Sequence, residues 1–577
     1  MAAAAEGPAE QQAGPKAPAV SPGGGSVLPA CGRGEGGEGG GEEGERAEFS
    51  SYTEFLLTSL GYCVGLGNLI VYPGRVFAFG GGAFIIAYFV FLFVLGMPLY
   101  THDLKVGQYY RRGAFWAFTS MHPALWGVGL GHVLIGFLMI VYFNTIIGWA
   151  LIYFIHSFRS PLPWAGDTTS FFFDEVLGAS TGLGDLNRII WPVWGANLFA
   201  WLVTAAVNIK GVQSAGKVVY FTVTAPYICI LALMIQGLTL PGAQDGVRAY
   251  LVPSVAFLKD YNTWVRAANQ IFYSTGVAMG AIVTFGSYQS AKSRNYVRDG
   301  ALIPFLNSIT SFIGGFAVFP MLGHIAHNKG IEIGDLDLSA FSLTFVGYTE
   351  GLATFPNGLA QFFSVLFFLM IATLGIDTQI GVAEACITFV KELHFGRDRR
   401  NLSQPAAVVV VCTVGWLLSL ITTTDAGYYY VTLLWDYGNY LSMFMVAGLS
   451  LVGSSWVAGR RWHNDASLAL RGKAESPVLV ALWWVIPALL ACLLGIAVAG
   501  LVPYPATNGP HGDGTGTFPL WGQILSGVLN FGPGLIAVAA LPTTAGWLWW
   551  TRRRTRRKSS FAHVELGVGG GQGAASP

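Results

Sequence analysis

Charged residues are the scarcest class in this chain. Lys, Arg, Asp and Glu make up 11% of its 577 residues and nearly cancel, leaving a formal net charge of +1. That balance offers no basic surface to a phosphate backbone, so nucleic acid is excluded as a partner. The polar surface of a soluble globule is missing as well. Apolar residues make up 53% of the chain and the mean hydropathy is +0.52, which makes the lipid bilayer its partner. Of six cysteines, Cys31 lies in the N-terminal arm and Cys63, Cys229, Cys386, Cys412 and Cys492 lie in apolar segments. No pair is left for an external disulfide. No Asn-x-Ser/Thr falls on the side away from the basic loops; Asn401-Leu402-Ser403 lies among them. Residues 1–45 are rich in Gly, Ala and Glu without an apolar core, so they read as a disordered cytoplasmic arm rather than a secretory signal. A Ser/His/acid pattern, metal-spaced His/Cys clusters and a phosphate-binding glycine loop are all lacking, which excludes an enzyme reading.

What the chain does have is apolar length. Runs able to cross ~30 Å of hydrocarbon are predicted near 54–78, 83–110, 124–157, 190–207, 216–238 and 262–290. Six more follow near 300–327, 357–392, 405–422, 428–458, 478–501 and 519–549. An even number of spans puts both termini on one side. Most of the 32 Lys and Arg fall in one set of loops and the tail, among them Lys105, Arg111, Arg112, Lys210, Arg298, Arg399, Arg460, Arg471 and Arg552–Arg554. The positive-inside rule makes that side, and both termini, cytoplasmic. A basic, disordered tail is expected over 551–577.

Within the first span, Gly61-Tyr62-Cys63-Val64-Gly65-Leu66-Gly67-Asn68 precedes Pro73. Each glycine costs a helix ~1 kcal/mol and asparagine competes for backbone hydrogen bonds. Broken backbone in hydrocarbon is tolerated where it is buried in protein or lines a polar cavity. The stretch is therefore either a site that exposes backbone groups to an ion or solute, or a glycine-kinked packing helix.

That stretch, with Tyr72-Pro73, Gly80-Gly81-Gly82-Ala83-Phe84 and Gly96-Met97-Pro98-Leu99, resembles the first two helices of the neurotransmitter:sodium symporter family, on its amino-acid-type branch. The likeness runs through most of 46–460 and more weakly to about 550. It implies an all-α membrane protein with twelve transmembrane helices over 46–550. Two five-helix inverted repeats, about 54–238 and 262–458, would each open on a broken helix, the first and the sixth. It implies bound and co-transported Na⁺, with Cl⁻, and a small zwitterionic solute.

Residue by residue, the resemblance places a first sodium at Cys63, Asn68, Ser274 and Asn307. A second falls at Gly61, Val64, Leu374, Asp377 and Thr378. Chloride falls at Tyr88, Gln270, Ser274 and Ser311. The solute falls among Cys63, Gly65, Gly67, Met139, Phe143, Tyr273, Ser274, Gly276, Met279, Thr378 and Val382. Arg46, Phe49, Tyr288 and Glu392 match an inner gate. A carboxylate inside a span is costly and functional by default, and sodium favours hard oxygen ligands, both of which fit Asp377.

The departures are specific. The family's outer gate pairs an Arg with an acid; here those positions hold Val71 and Trp435. Losing both is coherent, since a lone buried charge costs several kcal/mol, and an apolar gate of Val71, Tyr273 and Trp435 is expected. Arg75 with Asp436 is the alternative pair. Phe143 stands where a tyrosine hydroxyl usually holds the solute carboxylate. Gly65 replaces the acid of monoamine-type members, which favours amino acids and related zwitterions. The expected function is sodium-coupled, chloride-dependent symport by alternating access in the plasma membrane. The alternative is a transporter-derived receptor or uncoupled ion pathway.

Overall fold

The computed structural model describes residues 48–289, 295–336, 340–356, 358–395, 400–437, 440–499 and 519–542. The arm 1–45, Arg46, the side chain of Asp436 and the tail 551–577 lie outside the described residues. The described part is helical apart from a two-residue antiparallel pairing, His394–Phe395 with Arg400–Asn401. Among the described residues, eight helices are long and apolar enough to cross a membrane, and two bent pairs bring the number to ten.

The first bent pair is α1 (Tyr52–Cys63) and α2 (Gly67–Ala78), set 44° apart. Ser51 caps α1: Glu54 N–H donates to Ser51 Oγ at 3.1 Å, and the Glu54 carboxylate accepts from Ser50 N–H, one residue before the cap, at 3.0 Å. Then come α3 (Gly82–Tyr110), α4 (Pro123–His156), α5 (Trp191–Asn208) and α6 (Val212–Leu238). Segment 262–290 forms two helices, α7 (Tyr261–Thr275) and α8 (Ala281–Tyr288). Each is shorter than the ~20 residues that span a bilayer alone. The chain continues through α9 (Tyr296–Lys329), α10 (Leu359–Glu392), α11 (Gln404–Thr423) and α12 (Gly427–Tyr437). The second bent pair, α13 (Leu441–Val457) and α14 (Gly459–Arg471), turns through 95°. Last are α15 (Pro477–Ala499) and α16 (Leu520–Pro542).

α4 packs along α10 at the centre, and α1 lies against α6, α9 and α10. Trp149, Tyr142 and Tyr153 of α4 are buried there. One reading changes: Lys105, taken from the sequence as a loop cation, is fully buried within α3. Its ammonium is held 2.6 Å from Glu475, 370 residues further on.

Candidate ion and solute site

The two helix breaks face each other. α1 stops at Cys63 and the helix resumes at Gly67 through a π-helical turn, Gly67–Val71, a feature common at functional positions. Between α7 and α8 the chain takes left-handed conformations at Gly276 (φ 69°), Ala278 (φ 64°) and Gly280 (φ 81°). The Tyr62 hydroxyl donates to Gly276 O at 2.9 Å and so ties one break to the other. A Cβ on Gly276 would lie 1.9 Å from that hydroxyl, which is why the position needs glycine.

Beside the first break is a buried polar cluster. Asn68 Nδ2 donates to Asn307 Oδ1 (2.8 Å) and to Asn307 O (3.0 Å), and Asn307 Nδ2 donates to Ser274 Oγ (2.8 Å). All three residues are at most 2% exposed. Three of the four first-sodium residues thus touch one another. Cys63 sits apart with its thiol 3.4 Å from Thr275 O. One helical turn away, Tyr88 Oη donates to Ser308 Oγ at 3.1 Å, with Ser311 and Ser274 as further hydroxyl neighbours. Gln270 turns its NH₂ to Gly67 O at 2.9 Å and leaves its buried carbonyl oxygen without a hydrogen bond.

Asp377 is 4% exposed in the middle of α10. It forms no ion pair with a described Lys or Arg, and Thr222 of α6 is its hydroxyl neighbour. Gly61 brings the α1 backbone against it: a Cβ there would lie 3.2 Å from Asp377 Oδ2. Thr378 donates to Tyr62 O at 3.2 Å, at the lip of the same break. The carboxylate faces a cavity of about 10 Å³ that Thr58 and Glu384 also line. A buried anion without a cationic side chain is costly, and a hard cation among hydroxyl and carbonyl oxygens is the partner this donor set suits.

A second cavity, of about 10 Å³, lies between the breaks. Cys63, Gly65, Gly67, Met139, Phe143, Tyr273, Gly276, Met279 and Thr378 line it, as expected for the solute, whereas Ser274 and Val382 do not. Tyr62 and Leu66 also line it and were not singled out. Among the described residues that line it, none is charged. Gly65 is required by its neighbour, because a Cβ there would lie 2.1 Å from Thr378 Oγ1.

Above Tyr273 the rings continue. Trp435 lies 5.4 Å from Tyr273, 6.0 Å from Tyr142 and 4.9 Å from Phe341, centroid to centroid. Val71 is buried in the π-helical turn of α2. Arg75 donates to Arg266 O at 3.2 Å, and the side chain of Asp436 lies outside the described residues. At the opposite end Phe49 packs against Phe285 and Tyr288, and Phe49 N–H donates to Tyr288 O at 3.1 Å. Tyr288 Oη donates to Glu384 at 2.9 Å and meets Thr388 at 2.7 Å. Glu392 accepts from Gly113 N–H at 3.0 Å. Tyr288 therefore contacts a glutamate two turns before the expected one. Arg46, the proposed partner of Glu392, falls outside the described residues.

Sequence reasoning missed Thr222, Ser308, Phe341 and Glu384. Ser308 and Glu384 were within reach of helical spacing, at i−3 from Ser311 and i−8 from Glu392. Phe341 sits in the first turn of a helical stretch, Ala340–Ser342 continuing through Leu343–Gly347 to Tyr348–Ala353, that falls between the predicted spans.

Paired breaks around a central cavity, beside a buried carboxylate that no described Lys or Arg pairs with, fit a membrane carrier. The model of the sodium:neurotransmitter symporter family matches residues 46–169 and 165–545, and the chain belongs to that family. It is 33% identical over 511 residues to the sodium- and chloride-dependent taurine transporter of Bos taurus, covering 82% of this chain and 81% of that one. The taurine transporter of Homo sapiens gives the same identity and coverage. A human sodium- and chloride-dependent neutral and basic amino acid transporter B(0+) is 32% identical over 545 residues, 83% of each chain.

Proposed function

We propose that the chain is a twelve-span plasma-membrane symporter with cytoplasmic termini that moves a small zwitterion with sodium and chloride. The observation that carries this reading is Asp377: a buried carboxylate, unmatched by any described cationic side chain, pressed against the broken α1. The Asn68–Asn307–Ser274 cluster supplies the first sodium site. Tyr88, Ser274 and Ser311, with Ser308, surround chloride, and Gln270 reaches the same cluster. The carboxylate or sulfonate of the solute meets the amides near Leu66 and Gly67 and the first sodium, because Phe143 has no hydroxyl to offer. Ions and solute act by binding the two access states unequally, which is what lets them drive alternation. The two repeats supply the moving bundle and its scaffold. Glu392, Tyr288 and Phe49 close the inner side with Arg46.

The names of the relatives set the panel for the test. Purified protein in proteoliposomes is given radiolabelled taurine and neutral amino acids, with Na⁺ and Cl⁻ replaced in turn. At least one solute should accumulate under an inward sodium gradient. Binding without accumulation would favour a receptor instead. Chloride carries its own prediction. Uptake should fall when gluconate replaces Cl⁻, and Ser311→Glu should relieve that dependence by supplying a fixed negative charge. A wild type already indifferent to chloride would mean the hydroxyl cage has another role.

A further inference from the structure

The chain ahead of α1 is fastened at two successive residues. Phe49 sends its N–H to Tyr288 O, at the end of α8. Glu48, just before it, meets Arg111, the residue that follows α3: Arg111 Nη2 donates to Glu48 Oε1 at 2.8 Å. Nη1 of the same guanidinium donates at 3.1 Å to the carbonyl of Gln289, directly after Tyr288. Two adjacent residues of the entering segment are thus bound to two adjacent residues at the end of α8, one of them through Arg111. Arg111 also ends α3. It is a left-handed non-glycine residue, φ 51°, and its N–H donates to Gly107 O at 2.9 Å; that backbone conformation is costly for any residue with a Cβ. Two residues on, Gly113 N–H reaches both oxygens of Glu392, at 3.0 and 3.1 Å, and Trp116 Nε1 donates to Glu392 O at 3.1 Å. The turn after α3 therefore holds the entering segment with Arg111 and the end of α10 with Gly113. The fastening closes on a wall of the Asp377 cavity. Phe285 lines that cavity with Thr58, Tyr62 and Glu384, and Phe49 packs on Phe285 with ring centroids 6.3 Å apart.

We propose that Glu48 and Arg111 form a second ion pair of the inner closure, beside the proposed Arg46–Glu392 pair, and that they must part before sodium leaves Asp377 toward the basic-loop side. This rests on the sodium and inner-closure readings above. The two pairs run in opposite senses. The entering segment supplies the cation of one and the anion of the other. A pair that joined two surface side chains, at 26% and 38% exposure, would hold little. Here one side chain ties the entering segment to the ends of both α3 and α8, so parting it from Glu48 releases the segment from two elements at once. Arginine suits that position. Its planar guanidinium presents separate N–H groups to separate acceptors, whereas a lysine ammonium is a compact point charge.

The test is a charge-swap cycle read at the cavity. Val219 of α6 is buried, lines the Asp377 cavity and belongs to neither sodium set. Val219→Cys is placed in full-length protein whose six native cysteines are replaced, and its labelling by N-ethylmaleimide reports opening toward the basic-loop side. Glu48→Arg and Arg111→Glu should each speed labelling ~5-fold, the size expected for reversing one half-exposed pair. Combining them should slow it again, short of wild type because a carboxylate at position 111 cannot donate to Gln289 O. Arg111→Lys should fall between wild type and Arg111→Glu. Arg112→Glu, at the exposed neighbour, should label as wild type does, which separates the pair from net charge. Single reversals that label at the wild-type rate, or a swap as fast as the singles, overturn the proposal. Sodium should slow labelling in every variant by filling the cavity. If it does so in none, the sodium reading fails while the swap cycle still decides the pair. If the cysteine-replaced protein does not fold, ²²Na⁺ release from variants with native cysteines takes its place. Release should be faster from each single reversal and slower again from the swap; one rate for all of them overturns the proposal.

Discussion

Asp377→Asn is expected to end sodium-driven uptake in a protein that still inserts and folds. The substitution keeps the volume of a side chain buried in α10 and removes its charge. At an effective dielectric of about 20, a unit charge about 4 Å from a cation contributes on the order of 4 kcal/mol. Losing it should weaken the second sodium by on the order of 10²–10³-fold. Stability should move the other way. A carboxylate with no described cationic partner is a cost to the fold in the absence of sodium, so the asparagine form should melt no lower than wild type in choline buffer. Sodium should then raise the melting temperature of wild type by more than that of the variant, which keeps only the first site, because a ligand stabilises only the state that binds it. A variant that retains sodium-dependent uptake and a melting shift as large as that of wild type would remove Asp377 from the site. Thr222, across from it on α6, refines the result. Thr222→Val should weaken sodium less than Asp377→Asn, since a neutral hydroxyl contributes less than a charge.

How much of this was readable beforehand depended on the range of each interaction. The break in the first span was legible because glycine and asparagine act on the backbone locally, and the chain does leave the helix after Cys63. Asp377 was legible because a carboxylate in an apolar run is conspicuous without any partner. The role of Gly65 was only half legible. Its lack of a side chain was plain, but the reason lies in Thr378 Oγ1, 2.1 Å from where a Cβ would be. Lys105 was misread for the opposite reason. It follows Asp103 near the end of an apolar run and looks like a loop cation, until a glutamate 370 residues later buries it. Nothing local announces such a pair. Ser308 shows a finer limit. Helical spacing makes Ser308 and Ser311 neighbours on one face, but which of the two meets Tyr88 shows only in the packed structure, where Ser308 lies 3.1 Å from it.

The outer seal gives the second large effect. Val71 and Trp435 stand where the resemblance led to an expectation of an Arg–acid pair, and Trp435 sits among Tyr273, Tyr142 and Phe341. A charged gate would loosen as salt rises, over a screening length of ~8 Å at physiological ionic strength. Ring contacts have no such dependence; aromatic pairs are worth ~0.5–1.5 kcal/mol each beyond their area. Trp435→Ala removes three of them. If about 2 kcal/mol of that stabilises the closed form over the open one, solute should leave ~30-fold faster. Phe341→Ala removes one of those three, together with the Phe341–Trp149 contact, and should show a smaller change in the same direction. Val71→Arg alone should be worse than Val71→Arg with Trp435→Asp, because its charge has no partner in an apolar vestibule. The measurement is dissociation of bound radiolabelled solute at fixed sodium, repeated at two concentrations of choline chloride. Wild-type release should not change with added salt, whereas the Arg–Asp double variant should release faster as salt rises. If Trp435→Ala holds its solute as long as wild type does, the seal lies elsewhere, and Arg75 with Asp436 becomes the pair to exchange next.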